Sequence, residues 1–196
     1  MQGETRALAQ KGIQALRSTN RLGLESDGGT LQHEPRNTDR GNHRLHLCPA
    51  PERAFGRLSD ANPAVELLIT NDPARARVLA AQIEGLNAQR RLLTSQVTEA
   101  AEAQLRDNPD LLTEPAILLS HPNWPGGVVG IVANRLVDRY HKPALLLTES
   151  EDGILRGSAR SVEGLHITEA IAANKDLLLG FGGHPMAAGS RSKRTI

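Results

Sequence analysis

The residues best suited to chemistry lie in the last 75 or so positions of the 196-residue chain, and they suit the holding of anions. Pro125-Gly126-Gly127 stands between a short apolar run and a helical pattern. Backbone amides at a helix start, with no side chains in the way, can hold a phosphate; glycines that only turn the chain look the same. Gly182-Gly183-His184-Pro185 reads as a second such loop, with Pro185 at a plausible first helical position. Ala187-Ala188-Gly189 then permit close backbone packing. His184, between a diglycine and a run of small residues, is open to a structural or a functional reading. The segment Gly157-Ser158-Ala159-Arg160-Ser161 ends a strand pattern with small polar residues and one arginine. A guanidinium fits phosphate as a two-pronged donor; the alternative is an exposed strand-end charge.

Motifs for bond breaking are missing. There is no Gly-Lys-Ser/Thr phosphate loop, no Gly-x-Ser-x-Gly elbow and no His-Glu-x-x-His pair. No aspartate-rich cluster could hold two metals. His43, His46 and Cys48 are three potential ligands with no fourth at a recognisable spacing, so a polar loop is the favoured reading there. Glu151-Asp152 reads as a solvated turn. No catalytic residue is assigned, and no metal ligand.

Composition limits what must carry these residues. Hydrophobic residues make up 39% and charged residues 23%, ordinary globular values that permit a core. One cysteine excludes a disulfide framework. No apolar run approaches the roughly 18 residues of a membrane span, and the N-terminus lacks a signal-peptide pattern, so a soluble, cytoplasmic protein is expected. Aromatics at 2% argue against a surface that stacks many bases, and a net charge of +1 against a generally basic, DNA-coating protein. Any polyanion site must therefore be local.

The positioning elements follow from periodicity. Thr5 to Ser18 has one apolar helical face, whereas residues 25 to 54 are sparse in apolar residues and broken by Gly and Pro. Asp72-Pro73 starts a helix that runs to about Arg106 and is stopped by Asn108-Pro109. Its apolar seam, Leu79, Ile83, Leu86, Leu93 and Val97, is interrupted by Arg90, which favours a spacer lying on a neighbouring lobe over a coiled coil. A strand at 116–120, a helix at 128–140 and a strand at 143–148 make a βαβ unit with parallel strands. A strand from Ile154 to Ser161 and a helix from Ile167 to Asn174 complete a compact α/β domain over about 114–192.

Three ordered motifs then point to a family: Trp124-Pro-Gly-Gly-Val-Val-Gly-Ile-Val-Ala-Asn-Arg135, Gly157-Ser-Ala-Arg-Ser161 and Gly182-Gly-His-Pro-Met-Ala-Ala-Gly189. Together they resemble the C-terminal part of the RecJ-type exonucleases of the DHH phosphoesterase superfamily, including the Gly-Gly-His-x-x-Ala-Ala-Gly signature of the DHHA1 lobe. Gly3-Glu4-Thr5-Arg6-Ala7-Leu8 and Gly56-Arg57-Leu58-Ser59-Asp60-Ala61 resemble the segment after the DHH lobe's last strand and the interlobe connection. The resemblance covers 1–24 and 56–189.

The fold it implies is α/β: a DHHA1-like mixed sheet with flanking helices, preceded by a long interlobe helix and a remnant of the DHH lobe. The implied domains are 1–62 (remnant and connector), 63–113 (linker helix) and 114–196 (substrate-binding DHHA1-like domain). The implied activity is 5′→3′ hydrolysis of single-stranded DNA in repair and recombination, this chain supplying the nucleic-acid-binding lobe. Manganese or magnesium would be bound by the DHH lobe, whose motif this sequence does not contain, so the chain is expected to be inactive by itself. Carried over by position, Arg57, Arg160, Ser161, Gly182, Gly183 and His184 are the expected nucleic-acid contacts. Gly126, Gly127, Gly130 and Arg135 are expected to shape the loop and helix, and Trp124 to pack beneath the loop. The departures are residues 25–54, which read as an out-of-frame stretch or an unusual linker, and 190–196, which lose the family's apolar strand pattern. Two rival readings are a DHH phosphodiesterase acting on short oligonucleotides or cyclic dinucleotides, and a noncatalytic nucleic-acid-binding DHHA1 module of the kind found in alanyl-tRNA synthetases.

Overall fold

Two aspartates begin the ordered helices. Asp60 accepts from the backbone N–H of Asn62 (3.1 Å), and Asp72 accepts from that of Ala74 (2.8 Å), each satisfying an amide that the first helical turn leaves free. The helices that follow are α1 (Asn62–Ile69) and α2 (Pro73–Asp107). A computed structural model describes residues 7, 10–12, 14, 60, 62–150 and 153–193.

The chain divides into two units, Met1–Arg90 and Arg91–Ile196. In the first, Leu67 of α1 packs with Ala76, Leu79, Ala80 and Ile83 of α2, all buried. Arg75 and Glu66 form a two-pronged bridge (2.5 and 2.7 Å) that holds the Glu66 carboxyl below its ordinary range. Arg90, the charged residue in the apolar seam, is buried, and its guanidinium donates to Asn87 Oδ1 (3.2 and 2.8 Å). The polar interruption is thus accommodated inside the helix by a neighbour one turn back.

The second unit opens with the end of α2, which Asn108-Pro109 terminates as expected; Pro109–Leu112 form one 3-10 turn. Then come β1 (Ile117–Ser120), α3 (Gly126–Tyr140), β2 (Ala144–Glu149), β3 (Ile154–Arg160), α4 (Ile167–Ala172), β4 (Gly180–His184) and β5 (Ala187–Lys193). The sheet order is β1-β2-β3-β5-β4. β1 and β2 are parallel and flank α3 in sequence, as the βαβ reading requires; the other pairs are antiparallel. The sheet is therefore mixed.

Alternation assigns the two faces. Ala144, Leu146 and Thr148 of β2 are buried on the face that carries α3. There Ile117, Leu119, Val128, Val132 and Leu136 join Val97, Ala101 and Leu105 of α2 in the main core. On the opposite face Ala159 and Ala188 pack with Ile167 of α4.

One expectation is corrected here. Gly182-Gly183-His184-Pro185 is not a loop opening a helix. Residues 180–184 are a strand, Pro185-Met186 is a tight turn, and 187–193 return as a second strand. Glycine contributes nothing to hydrophobic periodicity, so β4 has no apolar alternation to read. Ser190 to Lys193, which lack an apolar strand pattern, nonetheless continue β5, paired with β3 from Gly157 to Ile154. Ser190 is buried there, so a small hydroxyl occupies an inward position.

The buried carboxylate of Glu102 holds α2 to α3 by accepting from Arg139 Nη1 (2.9 Å) and from the Tyr140 hydroxyl (2.5 Å). That bond, reinforced by burial, raises the Tyr140 pKa. Glu102→Ala should cost about 1.5–3 kcal/mol, the range for hydrogen bonds to a charged group, measured by urea unfolding. A raised phenol pKa means that this stability is complete below the unfolded tyrosine value of about 10 and is lost as pH rises through the folded value. Alkaline unfolding of Tyr140→Phe should lack that component.

Candidate nucleic-acid interface

Strand register brings the candidate residues together. Across β3, β5 and β4, Arg160 pairs with Ala187 and Ala187 with His184. The next outward row is Ser158, Gly189 and Gly182, and the one after is Arg156, Arg191 and Gly180. Paired residues share a face, so all nine lie on the α3 side of the sheet. Neighbouring strands are about 4.8 Å apart, which puts the Arg160 and His184 backbones about 10 Å from each other.

α3 packs on β2 and β3. Beyond it, among the described residues, no helix covers β5 and β4 on this face; α4 packs on the other. Gly182, His184, Gly189 and Arg191 are accordingly exposed. A Cβ added at Gly182 would meet nothing within 4 Å, so the backbone there is open to close approach.

Arg160 is half-buried where α3 meets this shelf. Its Nη1 donates to the Ala159 carbonyl (2.7 Å) and to Ser158 Oγ (3.2 Å). Gly130 of α3 makes room for it: a Cβ at position 130 would lie 2.7 Å from Ser158 Oγ and 2.9 Å from Arg160 Nη2. Gly130 therefore shapes the arginine's seat.

The other candidates separate by role. Gly183 points to the α4 side, where an added Cβ would run into the Ala187 carbonyl and lie 2.5 Å from Ala188 Cα. It is required by the hairpin itself. His184 exposes its side chain, while its carbonyl accepts from Thr168 Oγ1 (2.8 Å) and ties the hairpin to α4. Ser161 is buried, its hydroxyl donating to the Leu165 carbonyl (2.8 Å) and its N–H to that of Met186 (3.0 Å). Gly126 and Gly127 open α3, behind Pro125 as cap residue. Trp124 is buried beneath that loop and stacks on His121 at 5.7 Å, with its carbonyl accepting from Thr148 Oγ1 (2.6 Å). Arg135 reaches Thr98 Oγ1 on α2 (3.1 Å), so it braces two helices. Arg57 lies outside the described residues, as do His43, His46 and Cys48.

Sequence reasoning did not single out Arg156 and Arg191. The available signal was period two: Ala187, Gly189, Arg191 and Lys193 alternate on one strand face, and Arg156, Ser158 and Arg160 on another.

Among the described residues no group of three or more His, Cys, Asp or Glu could hold a metal ion. These residues do not fit a divalent-metal centre, and no chemical step is assigned to one. No helix among them is long and apolar enough to cross a membrane.

Comparison with known proteins fits this architecture. Residues 111–194 match the DHHA1 domain family, so the second unit is built around a DHHA1 domain. Over nearly its whole length the chain is RecJ-like. It is 40% identical over 195 residues to the single-stranded-DNA-specific exonuclease RecJ of Bacillus subtilis, covering 97% of this chain and 24% of that protein. It is 42% identical over 143 residues to RecJ of Dickeya dadantii, covering 69% and 25%. The crystal structure of Thermus thermophilus RecJ with Mg2+ superposes with a TM-score of 0.78 at 31% identity, over 97% of this chain and 29% of that one. The chain thus spans about a quarter of the length of the curated relatives it matches. The Bacillus alignment also extends into 25–54, where the motifs found no likeness.

The contact of Gly130 with Arg160 yields a test. Gly130→Ala gains helix propensity of about 1 kcal/mol but must push flexible side-chain ends aside. Unfolding free energy should change by no more than about 1 kcal/mol, while the Arg160 Nε NMR resonance shifts. Gly126→Ala, whose Cβ would sit 3.8 Å from Thr148 Cγ2, should leave that resonance in place.

Proposed function

We propose that this chain is the substrate-gripping part of a RecJ-type exonuclease, an enzyme that hydrolyses single-stranded DNA from the 5′ end. Its DHHA1 domain holds the sugar–phosphate backbone on the face of β5 and β4 that α3 leaves open, with Arg160 of β3 at the edge of α3. The observation that carries the reading is the row Arg160–Ala187–His184, with exposed glycines at 182 and 189 one row on. Arg160 supplies charge and a fork for phosphate oxygens, and the glycines let a phosphodiester come close to the sheet. His184 adds a second polar group across the shelf. The relatives named as single-stranded-DNA-specific exonucleases support the choice of ligand.

In this reading Gly130 and Gly183 act indirectly, one by seating Arg160 and the other by allowing the hairpin. Ser161 acts indirectly too, through its bond to Leu165. Arg57 in the connector is a further proposed contact. The domain boundaries proposed are 1–62, 63–113 and 114–196. Catalysis belongs to a metal-binding DHH lobe whose residues are not among those described. The protein is proposed to work in the cytoplasm, in DNA repair and recombination.

Binding and hydrolysis are tested separately. With labelled single-stranded DNA and manganese, the 196-residue chain should release no nucleotides; robust metal-dependent release would refute the assignment of the chemistry elsewhere. In oligonucleotide titrations at low salt, Arg160→Ala should weaken binding by about 1.5–3 kcal/mol, the range for bonds to charged groups. Lys175→Ala, in an exposed turn outside this face, should change little. Gly182→Val should weaken binding in a folded protein, whereas Gly183→Val should unfold the hairpin. Equal behaviour of Arg160→Ala and Lys175→Ala, with the fold intact, would move the interface elsewhere.

A further inference from the structure

The segment Ser190–Lys193 carries no apolar residue, and the structure places its Arg191 and Lys193 on the same face as the shelf. Arg191 and Lys193 alternate with Ser190 and Ser192 on β5 and are exposed. Arg191 pairs across the ladder with Arg156, itself exposed on β3, whose Nε donates to Ser150 Oγ (3.1 Å). Among the described residues no carboxylate forms a salt bridge with Arg191. Like charges directly opposite on neighbouring strands repel, so Arg191, which no such carboxylate meets, favours an anion as its neighbour.

Position within the sheet suggests what that is. Arg191 is four residues along β5 from Ala187, so the Arg156–Arg191 row lies about 14 Å from the Arg160–His184 row. The intervening row is Ser158–Gly189–Gly182, which offers no bulky side chain. We infer that Arg156 and Arg191 form a second phosphate subsite, and that a single nucleic-acid strand lies along β5, over Gly189, touching both rows. The inference rests on the reading given under Proposed function and adds to it a direction and a second contact point. Rows this far apart serve different phosphates, because charge-assisted bonds to phosphate span only about 2.7–2.9 Å. A dinucleotide held at Arg160 therefore leaves the second subsite empty, and a longer strand fills both.

Oligothymidylates of two to twelve nucleotides, titrated against the 196-residue chain over a range of salt, test this. For long oligomers Arg191→Ala should weaken binding roughly tenfold at low salt, near the lower end for a charge-assisted bond. It should also reduce the salt slope by about 0.7, the value for one phosphate contact on a single strand. For the dinucleotide it should change nothing, whereas Arg160→Ala should weaken every length. Arg191→Lys should restore most of the slope. Removing one of two opposed cations should not lower the unfolding temperature, so loss of binding cannot be ascribed to loss of fold. If Arg160→Ala weakens binding and Arg191→Ala does so at no length, the second subsite is wrong and the first stands. An equal effect of Arg191→Ala on dinucleotide and dodecamer also overturns it, because both rows would then serve one phosphate. If neither substitution matters, the shelf is not the interface and both readings fall.

Discussion

Everything proposed for this chain depends on the close antiparallel approach of β5 to its two neighbours. Glycines permit it at two points. At Gly157 an added Cβ would collide with Ser190 Oγ and lie 2.8 Å from Leu147 Cδ2; at Gly183 it would meet the backbone of Ala187 and Ala188. Both sit on the α4 side, where Ala159, Ala188 and Ile167 make the small core that fixes the hairpin. With the strands locked there, the opposite face inherits its arrangement through register. A slip of one residue would turn every cation on that face to the other side. The face that carries Arg160 and His184 is thus specified mainly by contacts on the opposite side of the sheet.

A second consequence concerns charge. With a net charge of +1, the molecule has no general attraction for a polyanion. Placing Arg156, Arg160 and Arg191 on one face of the sheet, at and beyond the edge of α3, creates a local field without one. The face has no Trp, Tyr or Phe in its three rows, where the side chains are Ala, Ser, Arg and one His. In the proposed function such a surface would meet the sugar–phosphate chain, whose contacts position a strand without reading its sequence.

Much of the fold was legible because its elements announce themselves physically. Asp72-Pro73 and Asn108-Pro109 bracket α2, and the leucine-rich strands around a 15-residue helix declare the βαβ unit. Trp124 was rightly read as packing under its loop. The hairpin was not legible. Gly180-Phe-Gly-Gly-His184 has neither β-branched residues nor alternation, and its strand character comes from its partner β5 and from α4. The same cause hid the role of 190–193, where serines occupy inward positions. The residue types at the candidate interface could be chosen from motifs, but only register shows that Arg160 and His184 share a face while Gly183 does not.

That last distinction changes how the Gly-Gly-His motif is understood. Its two glycines look equivalent in sequence, and a phosphate-cradling loop would use both in the same way. In a strand they must face opposite sides. Gly182 looks out over open space, whereas Gly183 is pressed against β5 with φ at +156°. One position limits how near a ligand can come, and the other limits how near two strands can come. His184 combines both demands within one residue, giving its carbonyl to Thr168 and its side chain to solvent. The motif is therefore best understood as a strand whose alternation gives one glycine to the pairing of strands and the other to the open face.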